Sequence, residues 1–279
     1  MFCRKIMMIC KKIGTSYKEL VSDYVHERWM LWELAKNDFK ARFANTFLGV
    51  VWAFITPLVT MLVFWYVFQL GLRNNNINDM PFIVWYAPAF LIWTFFSETW
   101  VAETNCIREY SYLVRKVDFR ISIIPAIKVI SGSIVHIAFI LFIIVLNMIY
   151  GIWPSVYYLQ VFYYFFCTIM MVESLGILCS CLTPFVGDVP SLVGVATQIL
   201  FWATPIVWNP DNMGDAVKNI LKLNPMYYIC SGYRDTFIGS VWFWDRSYLT
   251  LYFWGFVIVT NIIGVTLFNR VKNQFVDVL

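Results

Sequence analysis

Charge is scarce in this chain: only 14% of its 279 residues are Asp, Glu, Lys or Arg, while 60% are hydrophobic. A soluble surface is rich in charge, so this balance excludes an ordinary water-soluble domain. Nucleotide-binding loops of the form G-x-x-x-x-G-K-[ST] are absent, as are H-E-x-x-H and G-x-S-x-G. The chain therefore has no such cradle for phosphates, and no nucleophile–base pair can be assembled from it. Its two histidines, His26 and His136, fall in different environments. His136 lies within an apolar run, where it reads as a helix–helix hydrogen-bonding residue rather than a base. The seven cysteines make no disulfide framework. Cys179-x-Cys181 lacks a second Cys or His pair, so both read as small apolar filler, and no metal site is expected. Residues 1–13 interleave Arg4, Lys5, Lys11 and Lys12 with short apolar runs, unlike a cleavable signal peptide, so the first span is expected to direct its own insertion.

What is present is hydrophobic length. Six apolar stretches lie near residues 47–70, 81–104, 126–150, 157–182, 190–208 and 248–268, with no soluble domain between them. About 20 helical residues cross the roughly 30 Å hydrocarbon core, so each stretch can span a bilayer. Nine Lys or Arg precede the first span, and Arg108, Arg115, Lys116 and Arg120 follow the second. This bias places both termini in the cytoplasm. The sequence thus predicts an all-α integral membrane protein forming one domain over 1–279. Residues 1–46 are an interfacial segment, 47–268 a six-span core and 269–279 a cytoplasmic tail.

Residues 17–46 read as an amphipathic helix on the membrane surface, with Trp32, Ala35, Phe39 and Phe43 at helical spacing and Lys36 at the edge of the stripe. It is either a plain anchor or a moving element. Pro57 and Pro88 interrupt spans one and two and read as kinks. The connection 105–125 mixes charge with Tyr110, Tyr112, Leu113, Val117 and Phe119, which makes a short amphipathic helix suited either to a soluble partner or to lipid headgroups. Residues 209–247 hold two short apolar helices divided by Asn224-Pro225. They are too short to span, and read as a pair dipping back into the bilayer beside a lined pathway.

Charges inside spans are costly, about 2.5–3.5 kcal/mol at the bilayer centre, so they normally face protein or water. Glu98, Glu103 and Lys128 lie toward the inner ends, and Glu173 lies deep in the fourth span. Glu173 is a candidate for a lining or interhelical contact, or for a proton-coupled role. Aromatics make up 19% of the chain. Interfacial belts account for many of them, and the surplus leaves room for a conduit whose rings stack on sugars.

Three blocks in this order resemble the membrane subunit of ABC-2-type exporters, specifically polysaccharide and teichoic acid permeases. They are Leu34 to Gln69 with its Leu-Gly-x-x-Trp, residues 112–129 (YLVRKVDFRISIIPAIKV), and residues 204–235, TPIVWNPDNM through LNPMYYICSGYRD. One departure is Arg120 after Phe119, where the family often has Pro. The resemblance implies a homodimer driven by a separate ABC ATPase subunit, which would bind the ATP and Mg. This chain would hold no cofactor, catalytic residue or metal and touch no nucleic acid. Its cargo would be an undecaprenyl-linked glycan of O-antigen, capsular or wall teichoic acid type, moved across the bacterial cytoplasmic membrane. Arg108, Tyr112, Leu113, Arg115, Lys116, Asp118, Phe119 and Arg120 would receive the ATPase stroke. Trp52, Trp65, Trp93, Glu173 and Trp202 would line the conduit, and Trp32, Lys36, Lys40 and Arg42 would border the lipid entrance. Two rivals share some of these features. One is a drug or small-lipid exporter on the same scaffold; the other is a membrane-embedded transferase, which needs a cluster of acid, base or metal ligands.

Overall fold

A computed structural model of the chain describes residues 22–44, 46–71, 76–77, 80–115, 119–210 and 213–279. Lys116 and Asp118, together with residues 17–21 of the N-terminal helix, lie outside the described residues. A helical turn at 22–26 leads into α1 (Arg28–Ala41), and α2 (Trp52–Trp65) then carries Pro57 inside it and widens into a π-helical stretch over Tyr66–Gly71. A two-residue ladder, β1 (Asn76–Ile77) with β2 (Met80–Pro81), turns the chain into α3 (Phe82–Glu109). α4 (Ser111–Val114), α5 (Ile124–Ile149), α6 (Gln160–Leu182) and α7 (Val189–Ala203) follow. The remainder is the short pair α8 (Asp215–Leu221) and α9 (Pro225–Phe237), then α10 (Ser247–Val271) and α11 (Phe275–Val278).

Among the described residues, four segments are both long and apolar enough to cross a membrane: Gly49–Gln69, Ile121–Ile149, Val156–Leu182 and Phe243–Val278. The other two expected spans differ for separate reasons. α7 is apolar but has only 15 residues. α3 has 28, but Trp, Tyr, Thr and Glu dilute its hydropathy. Its position explains that dilution: Phe82 to Trp93 are all buried, so the first half of the helix meets protein on every side. A helix apolar all round belongs at the centre of a bundle. α3 packs against α5, α6, α7 and α9, while α10 packs on α6 and α1 on α5. The hydroxyls of Thr94 and Thr104 are satisfied within α3 itself, by the carbonyls of Phe90 and Trp100.

Capping fixes the short pair. The Asn224 side chain accepts from the Met226 backbone N–H at 3.0 Å and donates to Thr204 Oγ1 at 2.7 Å, while Pro225 takes the first helical position. The Asn-Pro junction thereby starts α9 and ties it to the exit of α7. α9 buries Met226, Ile229, Cys230, Tyr233 and Phe237 in the bundle. At Gly232 any Cβ would collide with the Tyr164 ring of α6, so only glycine permits this approach.

Candidate coupling face and transport path

At the basic end of the bundle, a second apolar cluster joins α1, the end of α3, α4, the start of α5 and α11 through Leu31, Ala35, Ile107, Tyr110, Leu113, Ile124 and Phe275. Buried charge sits beside it. The Lys128 ammonium on α5 lies 2.5 Å from Asp38 Oδ1 on α1 and 2.5 Å from Glu109 Oε2 on α3. The Tyr110 hydroxyl donates to the same Asp38 oxygen at 2.9 Å. Burial by itself raises the Asp38 carboxyl, but the adjacent ammonium, helped by the Ser131 and Tyr110 hydroxyls, outweighs it and holds the group below its ordinary value. Arg120 pairs with Asp23 and, at 3.6 Å, with Glu27 of the N-terminal helical region, and Ser122 donates to Asp23 at 2.6 Å. The turn after α3 and the N-terminal helix therefore form one braced unit.

The coupling residues divide by exposure. Arg108, Tyr112, Arg115 and Arg120 are exposed; Leu113 is buried and Phe119 packs against the apolar cluster. Arg115 also donates to the backbone oxygen of Leu279. The exposed side chains among these residues are thus three arginines and one tyrosine, with Leu113 and Phe119 turned into the apolar cluster.

α1 presents two different faces. Leu31 and Ala35 are buried toward the bundle, whereas Trp29 is 73% and Trp32 45% exposed. The expected stripe of Trp32, Ala35, Phe39 and Phe43 is therefore split. Trp32 belongs to the outer face, where Lys36 sits over its ring at 5.9 Å and pairs with Glu33 at 2.6 Å. Trp29 and Trp32 sit on an outer face that also exposes Arg28, Glu33, Asn37 and Lys40, so an apolar residue type alone did not mark the buried side. Lys40 is exposed, and Arg42, also exposed, reaches Asp38 at 3.4 Å. Arg42 also joins Glu98, Thr99 and His136 around a narrow cleft of about 20 Å³, room for about one water. His136 Nε2 pairs with the Tyr233 hydroxyl at 2.9 Å, linking α5 to α9 as an interhelical bond.

The proposed lining residues scatter. Trp52 stands exposed at the start of α2; Trp202 is exposed at the end of α7. Trp65 is half-buried and donates to Gln69, while Trp93 is sealed in the core at 5% exposure. Rings still connect three of these regions: Phe201 lies 5.5 Å from Phe64, 5.9 Å from Trp93 and 5.3 Å from Trp202. Glu173 is held by Tyr24, whose hydroxyl donates to it. Glu103 lies close enough on α3 to interact, buried against Gly176 of α6. Glu173 therefore anchors the N-terminal segment within the bundle.

Arg234 went unnoticed in the sequence beyond its charge. Its guanidinium donates to the carbonyls of Trp85 (3.1 Å), Pro205 (2.7 Å) and Ile206 (2.8 Å), and stacks on the Trp85 ring at 3.5 Å. It fastens α9 across the head of α3 and the exit of α7. An arginine in a short helix rich in apolar and aromatic residues was the available signal. Among the described residues, no three His, Cys, Asp or Glu side chains converge as metal ligands.

A profile for the ABC-2 type transporter family matches residues 30–238. The chain belongs to that family. It is a multi-pass membrane transporter subunit rather than an enzyme. Similar curated proteins include two Klebsiella pneumoniae proteins named O-antigen export system permease protein RfbA. Each is 24% identical over 259 residues, covering 88% of this ABC-2 chain and 93% of the relative. A Myxococcus xanthus protein of the same name is 26% identical over 220 residues, covering 78% and 84%.

Proposed function

We propose that this ABC-2 chain is the permease of a polysaccharide exporter in a bacterial cytoplasmic membrane, working as a homodimer beneath which a separate ABC ATPase docks. Six spans serve it, with α3 as the protein-enclosed second and α7 as the short fifth; both termini face the cytoplasm, at the basic end. The cargo is an undecaprenyl-linked glycan, in line with the O-antigen export named for relatives that match most of this chain.

The observation that carries the reading is the exposed row Arg108, Tyr112, Arg115 and Arg120, braced to α1 through Arg120–Asp23 and Lys128–Asp38. A push on that row reaches the helix bearing Trp32, Lys36, Lys40 and Arg42 without an intervening loop. Those cations would meet the phosphate headgroup of the lipid carrier. The glycan would then pass along aromatics near Trp65, Phe201 and Trp202 between two copies, with Trp52 at the inner end and Trp93 supporting the wall from behind. Exposed apolar residues of α2 (Val59, Leu62, Val63) and α7 (Leu192, Val195, Ile199) supply the faces a second copy would cover.

Double reversal, Arg108→Glu with Arg115→Glu, is the test. Co-purification of the ATPase and surface glycan should both be lost while the permease still inserts into the membrane. Retained co-purification and export would refute the docking role.

A further inference from the structure

At the far end of the bundle from α1, one face of α9 borders a cavity of about 340 Å³, within the ordinary range of ligand pockets, roughly 300–1,000 Å³. Tyr227, Ser231, Asp235 and Ile238 recur at helical spacing along that face, opposite the side α9 buries in the bundle. Asn209 from the exit of α7 and Arg246 from the turn before α10 close the cavity around them. Its chemistry is mixed: two guanidiniums accompany one carboxylate, and Ile77, Met80, Pro205, Pro210 and Ile238 add apolar wall. Asp235 and Arg246 pair at 2.7 Å, so the one acid and its base cancel. The charge of Arg234, which also lines it, is directed at three backbone carbonyls and the Trp85 ring. Arg246 keeps a buried Nε–H without an acceptor among the described residues.

This lining of hydroxyl, amide, carboxylate and guanidinium groups interleaved with apolar side chains, its one excess cation committed to backbone carbonyls, suits a phosphate poorly. Phosphate needs cations free to reach it, and the polar groups on this wall cost free energy beneath a purely apolar ligand that cannot pair with them. The lining suits a neutral ring bearing several hydroxyls, each both donor and acceptor, with one apolar face to lay on Tyr227. We propose that this cavity is a saccharide subsite at the exit of the transport path, holding a sugar ring of the glycan as α9 closes the outer end. The proposal rests on the export reading above.

The purified permease–ATPase complex in nanodiscs should show saturation-transfer NMR signals from at least one of four probes, the methyl pyranosides of glucose, galactose, mannose and rhamnose. Ser231→Trp, which fills the cavity, should abolish the signal, and Ser240→Trp, exposed and outside the lining, should retain it. Should Ser231→Trp fail to fold, Tyr227→Phe, which removes a single hydroxyl, should weaken the same signal. Silence from all four probes, signals unchanged in the cavity variants, or displacement by inorganic phosphate would each overturn the subsite. ATP-driven export of the lipid-linked glycan by the wild-type complex is measured alongside. Export without glycoside binding refutes only the subsite, and absent export refutes the reading beneath it.

Discussion

Lys128→Met should be among the most damaging single changes in the protein. The lysine side chain is 6% exposed and Asp38 8%, whereas Glu109 is 51% exposed. At 2.5 Å and an effective dielectric near 20, one unit pair attracts by about 7 kcal/mol. Desolvation costs several kcal/mol per ion and offsets most of this, so the intact pair contributes little net stability. Removing the cation alone is another matter, because buried Asp38 is then left with only the solvent-accessible Arg42 at 3.4 Å, and the loss approaches the roughly 3–5 kcal/mol of a broken buried pair. Glu109 can turn to water and adds little. Adding Asp38→Asn to Lys128→Met removes the stranded charge and should recover most of the loss. The assay is thermal unfolding of the detergent-purified protein, followed by tryptophan fluorescence across all four corners of a double-mutant cycle. A loss below about 1 kcal/mol for Lys128→Met, or a double mutant equal to the sum of the singles, would refute the reasoning.

Acid should loosen α1. Because the Asp38 carboxyl is held below its ordinary value, its stabilisation is fully present above about pH 3.9 and is lost as pH falls through the lower folded value. Hydrogen exchange in Arg28–Ala41 should therefore rise only below that pH, and Asp38→Asn should flatten the change. Arg234→Lys should release the head of the bundle, since one ammonium cannot serve three carbonyls and stack on Trp85. Each stranded carbonyl costs roughly 1–3 kcal/mol, not additively, and faster proteolysis within residues 205–238 would report it; unchanged proteolysis would count against the lock. Gly176→Ala should lower thermal stability by about 1–3 kcal/mol, because the new Cβ meets the Glu103 carboxyl. Glu103→Ala should recover only the part owed to the carboxyl, because its Cβ stays 2.8 Å from the new one, and no recovery at all would count against the carboxyl as the collision.

Hydropathy and length made most spans legible, because lipid contact demands apolar side chains along a whole helix. α3 was legible as a length, but its position inside the bundle was not: burial by protein tolerates Trp85, Thr99 and Glu103, which blur the signal of lipid exposure. The short pair α8 and α9 could be read from Asn224-Pro225, where proline and a side-chain cap both act locally. Long-range pairings left no local trace. Tyr24 meets Glu173 across 149 residues, and Lys128 meets Asp38 across 90. Arg234 likewise finds Trp85 149 residues away. Each is a lone polar residue in an apolar segment, a position that marks a partner without naming it. For α1, two tryptophans exposed among charged residues defeated the periodicity, which is why Trp32 and Ala35 parted.

Force delivered by a separate ATPase to a glycan-conducting membrane subunit can be measured directly in sealed vesicles. Permease and ATPase together should move an undecaprenyl-linked polysaccharide across the bilayer only with ATP, and permease without ATPase should move none. Transport by the permease by itself, or ATP-driven movement of small hydrophobic drugs with the glycan left behind, would contradict the account.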